Sequence, residues 1–459
     1  MSSFKIQGPC RIKGRISLPG DKSIAHRFVF LGSISRNLTV IKNFPFNDDC
    51  ISTAKVFKKL GAQISYFPRE KLVKILGKGL RGLKKPDSAI FVGESGTTLR
   101  LLLGVLSGQS FKTRLICAKS LSRRPMLRVT RPLREMGARI FCRKSPQGEE
   151  YPPITIAGSN LKSIKYKMPI ASAQVKSAIL LAGLYAQGVT RVIEPVRSRD
   201  HTERLLKAFR ADIKVLGRQV SIRGKKELIS AGSVYVPGDI SSAAFFLVLA
   251  TILINSKIVL KNCSLNPTRA GVIEVLKRMG ADIKVTRHRS RFARFEPMGD
   301  IEVRSSRLKG TIVKRSEIPS LIDELPILMV AASFAQGKSR LEGVGELRVK
   351  ETDRIKSMQE NLRKMGADIQ VTRSQSHYAQ AYTDASDSVG CKVTSGEDIV
   401  IQGGFGLKGA KVKSFGDHRT AMSMIVAGLA ARGITTIDDT ICISKSFPDF
   451  LKVLKSIIK

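Results

Sequence analysis

The element Gly-Asp-x-Ser/Arg occurs three times in this 459-residue chain, each time at the head of a long apolar stretch. It reads Gly20-Asp21-Lys22-Ser23, Gly238-Asp239-Ile240-Ser241 and Gly416-Asp417-His418-Arg419, and the first two share a preceding proline, Pro19 and Pro237. Copies this far apart constrain the fold to one assembled by repetition of a supersecondary unit. The place of the element matters too. The first turn of a helix presents unpaired N–H groups and positive potential, and Lys22 and Arg419 add formal charge there. A helix start so equipped suits an anion.

A second repeat defines the unit. The junction Lys59-Leu60-Gly61-Ala62-Gln63-Ile64 returns as Glu135-Met136-Gly137-Ala138-Arg139-Ile140, as Arg278-Met279-Gly280-Ala281-Asp282-Ile283 and as Lys364-Met365-Gly366-Ala367-Asp368-Ile369. A degenerate copy is Ala208-Phe209-Arg210-Ala211-Asp212-Ile213. Glycine just past a helix takes the left-handed C-cap, and the alternation after it is that of a strand. Ile355, Met358, Leu362 and Met365 give the preceding segment an amphipathic helical spacing. Between junctions lie stretches apolar nearly all round, beginning near Lys22, Gly96, Ser172, Ile240, Asp323 and His418. Such helices belong in a core. The unit is buried helix, strand, amphipathic helix, strand, with a further strand, and six copies fit at spacings of about 70 to 95 residues.

The sixth copy ends in an amphipathic stretch from Phe450 to Ile458 with no strand after it, while residues 4–18 are strand-like and follow no helix. The N-terminal strands are expected to complete that unit. The prediction is an α/β (α+β) chain in two lobes of three units, with parallel buried helices. Lobe I takes residues 1–20 and 240–459, lobe II residues 21–239, and the chain crosses near 19–21 and 237–239.

Composition narrows the function. The apolar stretch from Ala243 to Ile254 is too short to span a bilayer, which takes about 20 residues. Nothing at the N-terminus reads as a secretion signal. The seven cysteines are scattered, none in Cys-x-x-Cys, and the five histidines form no His-Glu-x-x-His. A reduced cytoplasmic protein without a structural metal is expected. Lysine and arginine number 79 against 37 acidic residues, a net charge of +42. Nucleic-acid binders concentrate such charge in a tail or stripe and add aromatics for stacking. Here the basic residues are spread along the chain, aromatics are 6% and Trp is absent, which favours a solvated basic surface over a specific nucleic-acid site.

The ionic motifs gather at helix starts. Lys22, Ser23, Arg27, Gly96, Ser172, Gln174, Asp323, His418 and Arg419 begin the buried helices or lie in their first turns. Arg124-Pro125, Ser198-Arg199-Asp200, Lys350-Glu351-Thr352-Asp353-Arg354 and Lys445-Ser446-Phe447-Pro448 precede amphipathic helices. Parallel helices would bring these groups to one face of each lobe. Two such faces meeting across a hinge make a cleft rich in cations with a few carboxylates, suited to two small, multiply charged anions that react together. Taken singly, each motif has a plainer reading. Asp323 fits an N-cap, and Lys350, Glu351 and Arg354 fit ion pairs on a solvated helix.

Taken together and in order, these stretches resemble the 5-enolpyruvylshikimate-3-phosphate synthase family (3-phosphoshikimate 1-carboxyvinyltransferases). The stretches are PGDKSIAHR (19–27), GESGTTLRLL (93–102), SLSRRPM (120–126), SAQVKSAILLAGL (172–184), SRDHTERLL (198–206), PGDISSAAFFL (237–247), DELPILMVAA (323–332), ELRVKETDRI (346–355), GDHRTAM (416–422) and SKSFPDF (444–450). The Ser-Ala-Gln and Ser-Arg-Asp-His-Thr-Glu forms are similar to its bacterial class II branch. The resemblance implies an inside-out α/β barrel of six βαβαββ units, and transfer of the enolpyruvyl group of phosphoenolpyruvate to the 5-hydroxyl of shikimate 3-phosphate by addition–elimination. No metal or organic cofactor is implied, and the protein is expected to be a monomer with no membrane partner.

By resemblance Lys22, Gly96, Arg124, Gln174, Arg354, Arg419 and Lys445 meet phosphoenolpyruvate. Lys22, Ser23, Arg27, Ser172, Gln174, Ser198, Arg199, Asp323 and Lys350 meet shikimate 3-phosphate. Asp323 is the implied base for the 5-hydroxyl and Glu351 the group that protonates, then deprotonates, the methylene carbon; Lys22 and His418 complete the catalytic set. Three positions depart from the family's usual pattern: Glu94 in place of Asn, Cys117-Ala118 in place of Gly-Asp, and Ala25 in place of Ser or Thr. The sister transferases acting on UDP-N-acetylglucosamine, which carry a loop cysteine near the place of Cys117, are the alternative of the same fold. A basic nucleic-acid-binding protein is the alternative of another class.

Overall fold

In each Gly-Asp element the aspartate is the helix N-cap. The computed structural model describes residues 3–289, 293, 295–373 and 396–459, so Cys391 lies outside the described residues. Asp21 accepts from Ile24 N at 3.0 Å, Asp239 from Ser241 N at 2.8 Å and Asp417 from Arg419 N at 2.7 Å. Each carboxylate satisfies an N–H that the helix itself leaves unpaired, and it faces the positive end of the dipole. The helices so started run Lys22–Ile34, Ile240–Ile252 and His418–Ala430. Three more of the same kind, Gly96–Leu106, Ala173–Gly183 and Leu325–Phe334, complete the set. Ser95 and Ser172 cap the first two. The third follows a turn at residues 322–324 and has no side-chain cap, so Asp323 is not the N-cap that a lone Asp before an apolar helix suggests.

These six helices are buried over nearly their whole length. Every residue from Ile240 to Thr251 is buried, each large apolar side chain contributing roughly 1.5–3 kcal/mol. Phe246 of that helix packs on Phe450, ring centroids 5.5 Å apart, and so ties the last amphipathic helix, Phe450–Ile457, into the same core. There are two cores. One joins residues between Ile24 and Val236; the other joins Ile6–Leu18 to residues between Ile240 and Ile457. Among the described residues, no helix is long and apolar enough to cross a membrane.

The repeating sheet follows one pattern. A short strand lies parallel to the strand after the buried helix, which pairs antiparallel with the second strand of a hairpin that follows the amphipathic helix. Ile90–Phe91, Lys112–Ile116, Glu150–Ala157 and Arg139–Lys144 lie side by side in this way. Ile312–Val313, Gly337–Leu341, Glu397–Gly403 and Asp368–Arg373 repeat it. The sixth sheet holds Lys411–Val412, Gly433–Ile437 and, as expected for the N-terminus, Phe4–Gly8.

The second N-terminal strand goes elsewhere. Lys13–Ser17 precedes the Lys22–Ile34 helix but pairs with Lys257–Lys261, the strand after the Ile240–Ile252 helix. Ser233–Tyr235 precedes that helix but pairs with Val40–Lys42. The halves thus exchange edge strands. The chain changes halves between short strand and buried helix, so each half takes as its edge strand the one that leads into the other half's helix. The two changeover segments bond to each other, Asp21 N to Pro237 O at 2.8 Å and Asp239 N to Pro19 O at 3.0 Å.

The C-cap junctions have the backbone that their glycines suggest: φ is 90° at Gly61, 102° at Gly137, 96° at Gly280 and 90° at Gly366. In the degenerate copy Arg210 takes φ 61°. A side chain there costs about 1 kcal/mol that glycine avoids. Arg210→Gly should therefore stabilise the protein by about 0.5–1 kcal/mol, read as a raised midpoint in urea unfolding at unchanged slope.

Candidate active site

A cavity of about 550 Å³ lies between the two halves. Residues at the heads of all six buried helices line it: Lys22 and Ser23, Thr97, Gln174, Asp239, Asp323, and His418 with Arg419. The helices therefore aim their N-termini at one space, where six positive ends and the added cations sum. Segments just before amphipathic helices supply Arg124, Ser198, Arg199, Arg269, Lys350, Glu351 and Arg354. Repetition explains the convergence, because equivalent points of equivalent units fall on equivalent faces.

Cations of one half pair with carboxylates of the other across this space. Arg199 Nη2 is 2.6 Å from Asp323 Oδ2, Arg124 Nη2 is 3.1 Å from Glu351 Oε1, and Arg128 Nη1 is 3.3 Å from Glu346 Oε2. Within one half, Arg354 is buried against Asp417 at 2.9 Å, Glu351 at 2.5 Å and Asp323 at 3.3 Å. The Glu351–Arg354 pair is the i,i+3 pair the sequence allows, but it faces the cavity rather than solvent. Lys22 Nζ is 3.0 Å from Asp49 Oδ2. Ligand-facing polar groups are fixed from behind. Gln174 accepts from Arg100 at 2.7 Å and donates to Thr97 at 3.0 Å; Arg27 donates to Thr202 at 2.6 Å and Ser177 at 3.0 Å; Ser198 donates to Glu194.

Burial alone would raise both cavity carboxylates. Arg199, Arg419, Lys350 and Arg269 outweigh it at Asp323 and hold that group well below the usual carboxylate range. Arg354, Arg124 and Lys22 do the same for Glu351. Burial lowers the Lys350 ammonium to about 8, with Arg354 and Arg128 adding to the effect against the pull of Asp323 and Glu346. His418 is buried with neither ring nitrogen bonded to protein, and burial, then Lys22 and Arg419, keep its ring neutral at physiological pH. Among the described residues, no group of His, Cys, Asp and Glu could hold a metal ion.

Most of the sequence-predicted residues meet here: Lys22, Ser23, Arg27, Arg124, Ser172, Gln174, Ser198, Arg199, Asp323, Lys350, Glu351, Arg354, His418 and Arg419 all line the cavity. Two stand back from it. Gly96 contributes no side chain, and a Cβ there would lie 2.9 Å from Arg100 Nη1 and 3.2 Å from Arg124 Nη1. Lys445 is turned to Glu94, 2.5 Å away. Sequence reasoning missed Arg100, Arg128, Arg269 and Glu346, which also line the space. Arg100 carried a signal, being the single charge in the otherwise uncharged Gly96–Leu106 helix. Arg269 carried another, since it precedes the Gly271–Arg278 amphipathic helix as Arg124 and Lys350 precede theirs. It is fully buried beside Asp323 at 3.3 Å and Glu324 at 3.4 Å.

Repeated α/β units thus converge by their helix starts on one inter-half, cation-rich cavity. The enolpyruvyl transferase NikO of Streptomyces tendae has this fold, with a TM-score of 0.75 at 15% identity over 100% of this chain and 98% of that one. The sequence model described as EPSP synthase (3-phosphoshikimate 1-carboxyvinyltransferase) matches residues 6–454, and the chain belongs to that family. The 3-phosphoshikimate 1-carboxyvinyltransferase of Desulforamulus reducens is 44% identical over 98% of this chain and 97% of its own length. That of Bacillus cytotoxicus is 45% identical over 97% and 98%. An EPSP synthase structure from Acinetobacter baumannii aligns with a TM-score of 0.82 at 40% identity, covering 99% of this chain and 98% of that one.

A methyl group on Gly96 would press on the guanidinium ends of Arg100 and Arg124, both of which line the cavity and would have to shift. Gly96→Ala is expected to keep native thermal stability while weakening calorimetric binding of inorganic phosphate roughly tenfold, the worth of one displaced guanidinium–anion bond.

Proposed function

We propose that this chain transfers the 1-carboxyvinyl group of phosphoenolpyruvate to the 5-hydroxyl of shikimate 3-phosphate and releases phosphate. The observation that carries the reading is the pair of carboxylates, Asp323 and Glu351, set in one cavity with Lys22, Arg27, Arg124, Arg199, Lys350, Arg354 and Arg419 among its cations. Lys22, Arg124, Arg354, Arg419 and Lys445, with Gln174 and the open Gly96, hold phosphoenolpyruvate. Ser23, Arg27, Ser172, Ser198, Arg199 and Lys350 hold shikimate 3-phosphate.

The 5-hydroxyl adds to C2 while Asp323 takes its proton, and C3 gains a proton from Glu351. Glu351 then removes a methyl proton as the C2–O bond to phosphate breaks. Both carboxylates are ionised when cations face them. Substrate anions that take up Arg124, Arg354, Arg199 and Lys350 strip those partners away and raise both groups toward the working range of an acid and a base. Lys22 neutralises charge at the reacting centre, and His418, neutral and unbonded, is free to relay a proton. The segments 1–20 with 240–459 and 21–239 act as lobes that close on the substrates about the paired crossings near 19–21 and 237–239. The protein works as a monomer in the cytoplasm, without a nucleic-acid or membrane partner.

The sister reaction on UDP-N-acetylglucosamine is less favoured. Burial pushes the Cys117 thiol up to about 11, which leaves little nucleophilic thiolate at neutral pH. Purified protein with phosphoenolpyruvate and shikimate 3-phosphate should release phosphate, and with UDP-N-acetylglucosamine it should not; the reverse result overturns the assignment. Retention on DNA should vanish with moderate salt while turnover persists. Asp323→Asn and Glu351→Gln should leave ligand binding largely intact and lower kcat by about 100-fold or more.

Lys350 gives a pH signature. Its cation is the binding form and is present below about 8, so kcat/KM for shikimate 3-phosphate should fall about tenfold per pH unit above that point. Lys350→Arg should move that limb beyond pH ~10, since guanidinium stays charged.

A further inference from the structure

Glu94 is a carboxylate just ahead of a helix whose first turn, at Thr97, faces the ligand space. It precedes the cap Ser95 of the Gly96–Leu106 helix and follows Gly93, whose φ is 64°. Two groups hold it. Its Oε1 accepts from Ser120 Oγ at 3.0 Å, and its Oε2 lies 2.5 Å from Lys445 Nζ, which belongs to the other half. Lys445 also donates to Gly416 O at 3.2 Å, two residues before His418, which lines the cavity.

The backbone around Lys445 is fixed independently of this ion pair. Ser444 Oγ donates to Asp48 Oδ2 at 2.9 Å, and Asn47 Nδ2 donates to Ser446 O at 3.2 Å. Only the flexible lysine stem stands between pairing with Glu94 and reaching an anion inside. The polarity of the pair sets it apart from Arg124–Glu351 and Arg199–Asp323. There the cation belongs to residues 22–236 and the carboxylate to the other half. Here the carboxylate sits on the cation-rich side and stays beside any anion that displaces it.

We propose that Glu94 competes with the anionic substrate for Lys445 and so sets the affinity of the cavity for phosphoenolpyruvate. Glu94 acts as a resident anion that the incoming phosphate displaces, and it lowers affinity without touching the reacting atoms. The proposal rests on the enolpyruvyl-transfer reading only for the identity of the substrate.

Glu94→Gln keeps the shape and the bond to Ser120 but frees Lys445. It should lower KM for phosphoenolpyruvate about three- to fivefold, the weight of one partly exposed ion pair, and leave KM for shikimate 3-phosphate at its wild-type value. Inorganic phosphate, titrated by calorimetry, should bind tighter by a similar factor. In a Lys445→Gln background the substitution should change neither quantity. Unchanged or weaker binding of both anions in Glu94→Gln overturns the proposal. So does an equal gain in the Lys445→Gln background, or an equal gain for shikimate 3-phosphate, since either marks a general change in potential rather than competition for one lysine. A wild-type protein without turnover would sink the transfer reading alone, and the phosphate titration would still decide this one.

Discussion

The structure depends on carboxylates of its own that neutralise the cations buried at its centre. Arg354 is buried and meets Asp417, Glu351 and Asp323; Arg269 is buried and meets Asp323 and Glu324. Such cations cannot be left unpaired away from water, where the penalty runs to several kcal/mol each. Carboxylates of the same half neutralise these cations, and Arg124–Glu351 and Arg199–Asp323 add pairs between the halves. A ligand that brings its own negative charge exchanges one set of pairs for another, with little net desolvation. Charge exchange of this kind suits a site that must bind two polyanions, react them and release a third.

The same residues serve fold and site. Asp417 caps the His418–Ala430 helix with one oxygen and holds Arg354 with the other. Asp21 and Asp239 cap the first helix of each half, and Arg269 lies within 3.9 Å of the one and 3.7 Å of the other. Because Asp21 and Asp239 also sit where the chain changes halves, Arg269 links that changeover to Asp323 through a single side chain. Any rotation of one half against the other must carry this guanidinium with it. The Gly-Asp repeat is thus a structural device first, and the cations next to it inherit a fixed direction.

The repeat made the fold legible. Glycine at the left-handed C-cap and apolar helices of similar length are local signals, and they need no knowledge of distant contacts. The exchange of edge strands was not legible, because Lys13–Ser17 and Ser233–Tyr235 look alike as strands and only tertiary pairing decides their neighbours. Most of the site could be read from helix starts. Arg128 escaped because nothing in its immediate surroundings distinguishes a cavity arginine from the many surface arginines of a chain with net charge +42. Lys445 shows the opposite difficulty. Its position was legible, but its direction is set by Glu94, remote in sequence and in the other half.

The large positive charge and the cavity pairs act at different ranges. Around a protein of this charge the field draws small polyanions inward from roughly a Debye length, about 8 Å at physiological salt, and raises their encounter rate. It does not choose among them. In the proposed reaction an anion that enters meets cations already neutralised at short range, and it stays by replacing Glu351 at Arg124 and Arg354, or Asp323 at Arg199, with better geometry. Selectivity is then a difference between two ion-paired states. That difference is decided by where a carboxylate stands relative to each cation, which is why one glutamate at a helix head carries weight against a surplus of 42 charges.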